Sequence, residues 1–166
     1  MTERTLALMR HGKSDYPSGV PDRDRPLAPR GVREAGLAGD WLRSALPPID
    51  LVLCSTAART RETFARTGLT APVRFVDRLY DAVPGTVIDE INKVDDDVTT
   101  LLVIGHEPVI SSVALGLADA AESNPAAADS ISTKFPTSAV AVLRTTASWR
   151  DLGLGGAALV TFHVPR

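Results

Sequence analysis

Three short apolar runs punctuate the chain: Leu6-Ala7-Leu8-Met9, Leu51-Val52-Leu53-Cys54 and Leu101-Leu102-Val103-Ile104. None alternates with polar residues, so each predicts a strand buried on both faces, as in a parallel sheet. Val73-Arg74-Phe75-Val76 is a weaker fourth strand. Between the runs the apolar spacing becomes helical. Val32, Ala35, Ala38, Leu42 and Leu46 recur every three or four residues and stop at Pro47-Pro48. A second helix is expected over residues 56–65, with Gly68 as its C-cap. Val87, Ile88, Ile91 and Val94 mark a third helix. Val109, Ile110, Val113, Ala114 and Leu117 mark a fourth, opened by Pro108 at a first-turn position.

The last third of the chain breaks this alternation. Residues 118–132 are rich in Ala, Ser and Asp and read as a loop. Two strand-like runs follow, 138–143 and 157–164, joined through the turn Gly153-Leu154-Gly155-Gly156. A direct hairpin makes them antiparallel neighbours on one edge of the sheet. Strands alternating with helices predict an α/β layered fold. Residues 13–29 are polar and hold four prolines, so they read as an ordered excursion over the surface.

The length of 166 residues argues for one domain spanning 1–166. Apolar residues make up 44% and charged residues 23%, ordinary values for a globular chain. A formal net charge of −2 gives no global field that would attract nucleic acid or an acidic membrane. The single cysteine, Cys54, rules out an internal disulfide and a multi-cysteine zinc site. No apolar run approaches the ~20 residues that span a bilayer. The apolar stretch before Arg10 is too short for a signal peptide. A cytoplasmic location, with neither membrane nor nucleic acid as partner, is the expectation.

In an open parallel sheet, ligands bind beyond the carboxyl ends of the strands. The first strand is followed by Arg10-His11-Gly12. The second is followed by Ser55-Thr56-Ala57-Ala58-Arg59, which puts Arg59 about one turn into a helix. The third main run leads into Gly105-His106-Glu107-Pro108 at another helix start. Two of the three histidines and two arginines are thus expected on one rim. That set suits a phosphoryl group. Guanidinium offers a planar fork of donors that keeps its charge, and helix N-termini add N–H groups and partial positive charge. Nearby cations disfavour protonation of an imidazole, leaving it able to attack phosphorus.

Taken singly, each residue has a plainer reading. His11 could be a structural strand-end histidine, His106 a helix cap and Arg59 a solvated helix residue. Their joint placement favours chemistry. His163, in the last strand, reads as structural, and Cys54 as a packed thiol, because no Cys-x5-Arg loop follows it. A nucleotide-binding loop is disfavoured, since Gly12-Lys13-Ser14 lacks the preceding glycine of a P-loop.

On these residues the chain resembles the histidine phosphatase superfamily, which includes cofactor-dependent phosphoglycerate mutases, and within it the small SixA-type phosphohistidine phosphatases. Leu8-Met9-Arg10-His11-Gly12-Lys13-Ser14 matches their opening, and Asp24-Arg25-Pro26-Leu27 followed by Gly31 their second motif. The segment from 55 to 63 containing Arg59, then Gly105-His106-Glu107-Pro108, and Phe135-Pro136-Thr137-Ser138-Ala139-Val140-Ala141 match the later ones. The resemblance runs from about residue 6 to 164. It implies a three-layer α/β/α sandwich with a mostly parallel central sheet and an antiparallel C-terminal edge, as in phosphoglycerate mutases.

The resemblance also implies roles. His11 is the expected nucleophile, passing through a phosphohistidine intermediate that water hydrolyses to inorganic phosphate. Arg10, Arg59 and His106 are expected to hold the phosphoryl oxygens, with Ser14 as a further substrate-binding residue. No metal and no cofactor are expected. Larger relatives protonate the leaving group with a glutamate that is missing from Asp77-Arg78-Leu79-Tyr80-Asp81. Asp81, Glu107 and Asp15 are the candidate acids, and the last lies in the 13–29 segment, a candidate lid. The missing glutamate and the short chain favour phosphohistidine on a protein as substrate. The alternatives are a broad-specificity phosphatase of small phosphate esters and a weakly catalytic phosphate-binding regulatory module.

Overall fold

A computed structural model describes residues 2–166. The apolar runs form strands β1 (Arg4–Arg10), β2 (Leu51–Ser55), β3 (Val73–Val76) and β4 (Thr100–Gly105), followed by β5 (Val140–Thr145) and β6 (Ala158–His163). They make one six-stranded sheet in the order β3-β2-β4-β1-β5-β6. The first four strands run parallel, whereas β5 pairs antiparallel to β1 and β6 antiparallel to β5. The helices are α1 (Pro29–Ala45), α2 (Ala58–Thr67), α3 (Pro84–Asn92), α4 (Val109–Leu117) and α5 (Pro125–Thr133).

Continuous apolar strands are explained by burial on both sheet faces, because successive side chains point to opposite sides. Leu6 and Leu8 of β1, with Leu101 and Val103 of β4, pack against α3, α4 and α5 through Val87, Ile91, Ile110, Val113 and Ile131. Ala7, Met9, Leu102 and Ile104 face the other way, toward Ala38 and Leu42 of α1 and Phe64 of α2. The result is the three-layer α/β/α arrangement with an antiparallel C-terminal edge.

Three local expectations need correction. Residues 118–132 are not all loop, because α5 occupies Pro125–Thr133. The Asn124 side chain caps it by accepting the N–H groups of Ala126 and Ala127, and Pro125 sits in its first turn. Only Ala127 and Ile131 are buried, a stripe too thin to show as periodicity. Second, the β5–β6 connection is not a tight hairpin. It contains a 3-10 turn, Trp149–Asp151, that buries Trp149 and directs its indole N–H onto the Val98 carbonyl at 2.7 Å. Third, Pro108 is the N-cap of α4 and lies outside its first turn.

The excursion over residues 13–29 is pinned at its base. Asp15 N–H donates to the Pro26 carbonyl at 2.9 Å and Ala28 N–H to that of Lys13 at 2.8 Å. This base lies against α1 at Gly31, where a Cβ would overlap the Lys13 carbonyl oxygen. Gly39, two turns on, makes the same close approach to Thr67 of α2. Both glycines are thus required by backbone contact, whereas Gly36 on the same helix has ordinary room. Gly31→Ala is expected to destabilise the protein by about 1–3 kcal/mol through overpacking. Gly36→Ala is expected to be neutral or stabilising by about 0.4–1 kcal/mol. Urea unfolding of the two variants checks the contrast.

Candidate active site

Strand β1 ends at Arg10, and the turn that follows is clamped from three sides. His11 N–H donates to the Gly105 carbonyl at 3.0 Å and Gly12 N–H to Thr63 Oγ1 at 2.8 Å. Ser138, held at a left-handed φ of 65°, directs its N–H at the carbonyls of Arg10 and His11, each at 3.1 Å. These bonds fix where the His11 ring emerges.

The His11 ring is buried, with Nδ1 2.7 Å from the Gly12 carbonyl oxygen. A carbonyl only accepts, so Nδ1 carries the hydrogen and Nε2 is left with its lone pair. Burial pushes the His11 pKa down to about 3; the neighbouring His106, Arg59 and Arg10 push the same way, against the Gly12 bond. The lone pair therefore stays free at neutral pH.

His106 lies 5.3 Å from His11 between ring centroids. Its Nε2 is 2.8 Å from Ser55 Oγ. That hydroxyl accepts the Ala57 N–H at 3.4 Å and can donate its own hydrogen to His106 Nε2. With that donation His106 has the same tautomer as His11, its hydrogen on Nδ1. Burial first, then the charge of Arg59, lower its pKa to about 4.

Three guanidiniums surround the rings. Arg10 donates to the Phe135 carbonyl at 3.0 Å. Arg59 is the second residue of α2, earlier than the full turn expected from sequence. It donates to the Asp22 carbonyl at 2.8 Å and to Asp22 Oδ2 at 3.2 Å. Arg25 reaches in from the excursion, bonding Ser14 Oγ at 2.8 Å and Asp22 Oδ1 at 3.1 Å. Asp22 also accepts the Tyr80 hydroxyl at 2.6 Å. That bond, ahead of its arginine partners, lowers the Asp22 pKa to about 2.

A cavity of about 220 Å³ lies at the centre, lined by Arg10, His11, Arg25, Arg59 and His106, with Lys13, Ser14 and Glu107 on its walls. Among the described residues, five buried side-chain polar atoms lack a hydrogen-bond partner. Four of them are Arg10 Nε, Arg59 Nε, His106 Nδ1 and Ser138 Oγ. Such atoms are rare in folded proteins, and their concentration here marks a place built for an acceptor. Four cationic side chains line the cavity against one carboxylate, so the acceptor it suits is an anion.

The four residues expected on one rim, Arg10, His11, Arg59 and His106, do come together. Ser14 is buried and holds Arg25. Glu107 has both carboxylate oxygens bonded to Ser111, by the backbone N–H at 2.7 Å and the hydroxyl at 2.8 Å. Asp81 is exposed and lines an adjoining cavity of about 310 Å³ that shares Arg59, His106 and Glu107 with the first. Asp15 is exposed and does not line the anion cavity. Burial pushes the Cys54 thiol up to about 12, consistent with an inert packed group. His163 stacks on Trp41 at 4.4 Å, away from the site. Sequence reasoning missed Arg25, Ser55, Asp22 and Tyr80 as parts of the site. Arg25 and Ser55 were legible only as parts of motifs, and Asp22 and Tyr80 carry no local signal.

The comparisons with known proteins agree with this geometry. The family model for the histidine phosphatase superfamily (branch 1) matches residues 6–90. An uncharacterized protein of Mycobacterium tuberculosis is 62% identical over 158 residues, covering 95% of this chain and all of the relative. The solved structure of a candidate phosphohistidine phosphatase SixA from Nakamurella multipartitia superposes with a TM-score of 0.90 at 43% identity, covering 99% of this chain and 98% of that one. The structure of the protein histidine phosphatase SixA complexed with tungstate superposes with a TM-score of 0.77 at 25% identity, covering 97% of each chain. The chain belongs to the histidine phosphatase superfamily, and that membership supports phosphatase activity.

Histidine titration tests the electrostatics directly. In the ligand-free protein, ¹⁵N NMR is expected to show both site histidines neutral from pH 5 to 8, with midpoints near 3 for His11 and 4 for His106. The hydrogen is expected on Nδ1 of each ring. A midpoint between 6 and 7 for either ring contradicts the account. Both native values lie below the unfolded value of roughly 6.5, so the unfolded chain binds more protons in acid. The contribution of these rings to stability is complete above that value and declines as pH falls toward the native midpoints.

Proposed function

We propose that this protein removes phosphoryl groups in two steps through His11, and that its substrate is phosphohistidine carried on a protein. The observation that carries the reading is the lone pair of His11 Nε2 in a cationic cavity whose walls hold unpaired donors.

In the first step Nε2 of His11 attacks phosphorus, a P–Nε2 bond forms and the bond from phosphorus to the leaving nitrogen breaks. The departing imidazole takes up a proton. Nδ1–H, held by the Gly12 carbonyl, supports the positive charge that develops on the ring. Arg10, Arg59 and the Nδ1–H of His106 face the three equatorial oxygens and stabilise the charge spread over them. In the second step water attacks phosphorus while its proton passes to the Asp81 carboxylate left by the first step, the P–Nε2 bond breaks with its electron pair returning to Nε2, and inorganic phosphate leaves. No metal takes part in either step. The tungstate complex of a SixA relative supports the oxyanion reading, since tungstate is a tetrahedral oxyanion like phosphate.

Proton delivery to the leaving group falls to Asp81. Glu107 is disfavoured because Ser111 occupies both of its oxygens, whereas Asp81 is open to the adjoining cavity. That cavity also supports a second reading, in which it receives the organic part of a small phosphate ester.

A panel of phosphohistidine protein, phosphoserine, phosphotyrosine, phosphoglycerate and phosphosugars tests the proposal. The expected result is preference for phosphohistidine protein, unaffected by chelators, with no turnover by His11→Ala. Arg59→Ala is expected to lower the rate on the order of 10²–10³, as for loss of one oxyanion donor. Preference for a small ester supports the second reading. Binding of phosphate without turnover makes the protein a regulatory module, and sensitivity to chelators contradicts the metal-free scheme. Asp81→Asn is expected to slow ester hydrolysis more than phosphohistidine hydrolysis, because an alkoxide needs a proton more than an imidazole does. An equal effect on both removes Asp81 from the role.

A further inference from the structure

Arg25 makes its hydrogen bonds within the excursion that carries it. Nε donates to Asp22 Oδ1 at 3.1 Å, and Nη1 donates to Ser14 Oγ at 2.8 Å and to the Asp15 carbonyl at 3.1 Å. The Tyr16 ring covers the guanidinium, with Cζ 4.0 Å from the ring centroid. Fixing so long a side chain costs rotamer entropy, which these four neighbours offset. A staple for the excursion accounts for Nε and Nη1. It leaves Nη2 without a hydrogen-bond partner among the described residues, on a side chain that lines the anion cavity.

Asp22 couples this guanidinium to Arg59. Its Oδ1 accepts from Arg25 and its Oδ2 from Arg59 at 3.2 Å. One carboxylate thus sets the spacing between a donor group of the excursion and a donor group of α2. Arg59 keeps a buried Nε unpaired on the same cavity. The positive charge of Arg25 is also felt at His106, where it adds to the lowering of the ring pKa. A phosphoryl group offers several lone pairs on each of its oxygens, so donors beyond Arg10, Arg59 and His106 still find acceptors.

We propose that Arg25 is a further oxyanion-binding residue, donating from Nη2 to the group that Arg10, Arg59 and His106 also hold. The excursion then supplies part of the binding site itself. Its guanidinium is in place before the anion arrives, which leaves little reorganisation for binding. The inference rests on the proposed function only in taking the cavity as an oxyanion site, and it is tested without turnover.

Calorimetric titration with tungstate, an oxyanion that carries no phosphoryl group to transfer, compares the wild type with Arg25→Ala. Melting temperatures show whether the variant is folded, and Arg25→Gln, of similar length but uncharged, serves if it is not. The folded variant is expected to bind tungstate at least tenfold more weakly, as for loss of one charge-assisted hydrogen bond. A residue that only staples the excursion could weaken binding indirectly, so the wild-type side chain is observed as well. In ¹⁵N NMR the Nη2 signal of Arg25 is expected to shift, and its hydrogens to exchange more slowly, when tungstate binds. A folded variant within twofold of the wild-type affinity overturns the inference. An Nη2 signal that tungstate leaves unchanged overturns it too, whatever the variant does, and makes Arg25 a staple. A wild type that binds tungstate with these Arg25 effects but hydrolyses no phosphorylated substrate removes the proposed function and leaves this inference standing. A wild type that does not bind tungstate removes both.

Discussion

A buried imidazole that must remain uncharged among guanidiniums is the constraint on which this structure turns. Free in water, a histidine would be partly protonated near neutrality and its ring free to rotate. Burial and adjacent positive charge remove the proton from His11, and the Gly12 carbonyl chooses which nitrogen keeps its hydrogen. The same cations gather the anion that the lone pair is to attack. One set of charges thus performs two tasks, and neither requires movement once the chain has folded.

The fold supplies this arrangement through the ends of its central strands. β1 and β4 are paired in register, Arg10 opposite Gly105, so His11 and His106 follow as neighbours at one edge of the sheet. Ser55, last in β2, presents its hydroxyl to His106 from the next strand over. The two histidines therefore receive complementary treatment: a carbonyl on one ring and a hydroxyl on the other leave a lone pair and a hydrogen, respectively, on the remaining nitrogens. Arg59 and Arg25 are steadied by a single carboxylate, Asp22, itself held by Tyr80. Flexible cations become a preorganised lining in this way, with less reorganisation left for the moment of reaction.

Much of this was legible in the sequence, because buried parallel strands advertise themselves as unbroken apolar runs and the residues after them are where ligands bind. Arg10, His11, Arg59 and His106 were found on that basis. α5 was missed because its two buried residues are spread among alanines and serines, although Asn124-Pro125 was a usable start signal. Tyr80 and Asp22 were missed for a different reason. Their bond joins residues 58 apart in the chain, and no periodicity or spacing predicts such a pair. Glu107, attractive because it adjoins His106, turns out to be bonded to Ser111 at the start of α4. Adjacency in sequence gave no sign of the direction in which its side chain points.

The central claim is that one nitrogen, Nε2 of His11, carries the phosphoryl group during turnover. Rapid acid-free quenching of the reaction followed by ³¹P NMR and peptide mapping of the denatured protein measures this most directly. The account predicts a transient, base-stable phosphoramidate on residue 11, attached at Nε2. Phosphate attached at Nδ1, phosphate on another residue, or turnover with no phosphorylated protein at any time contradicts it.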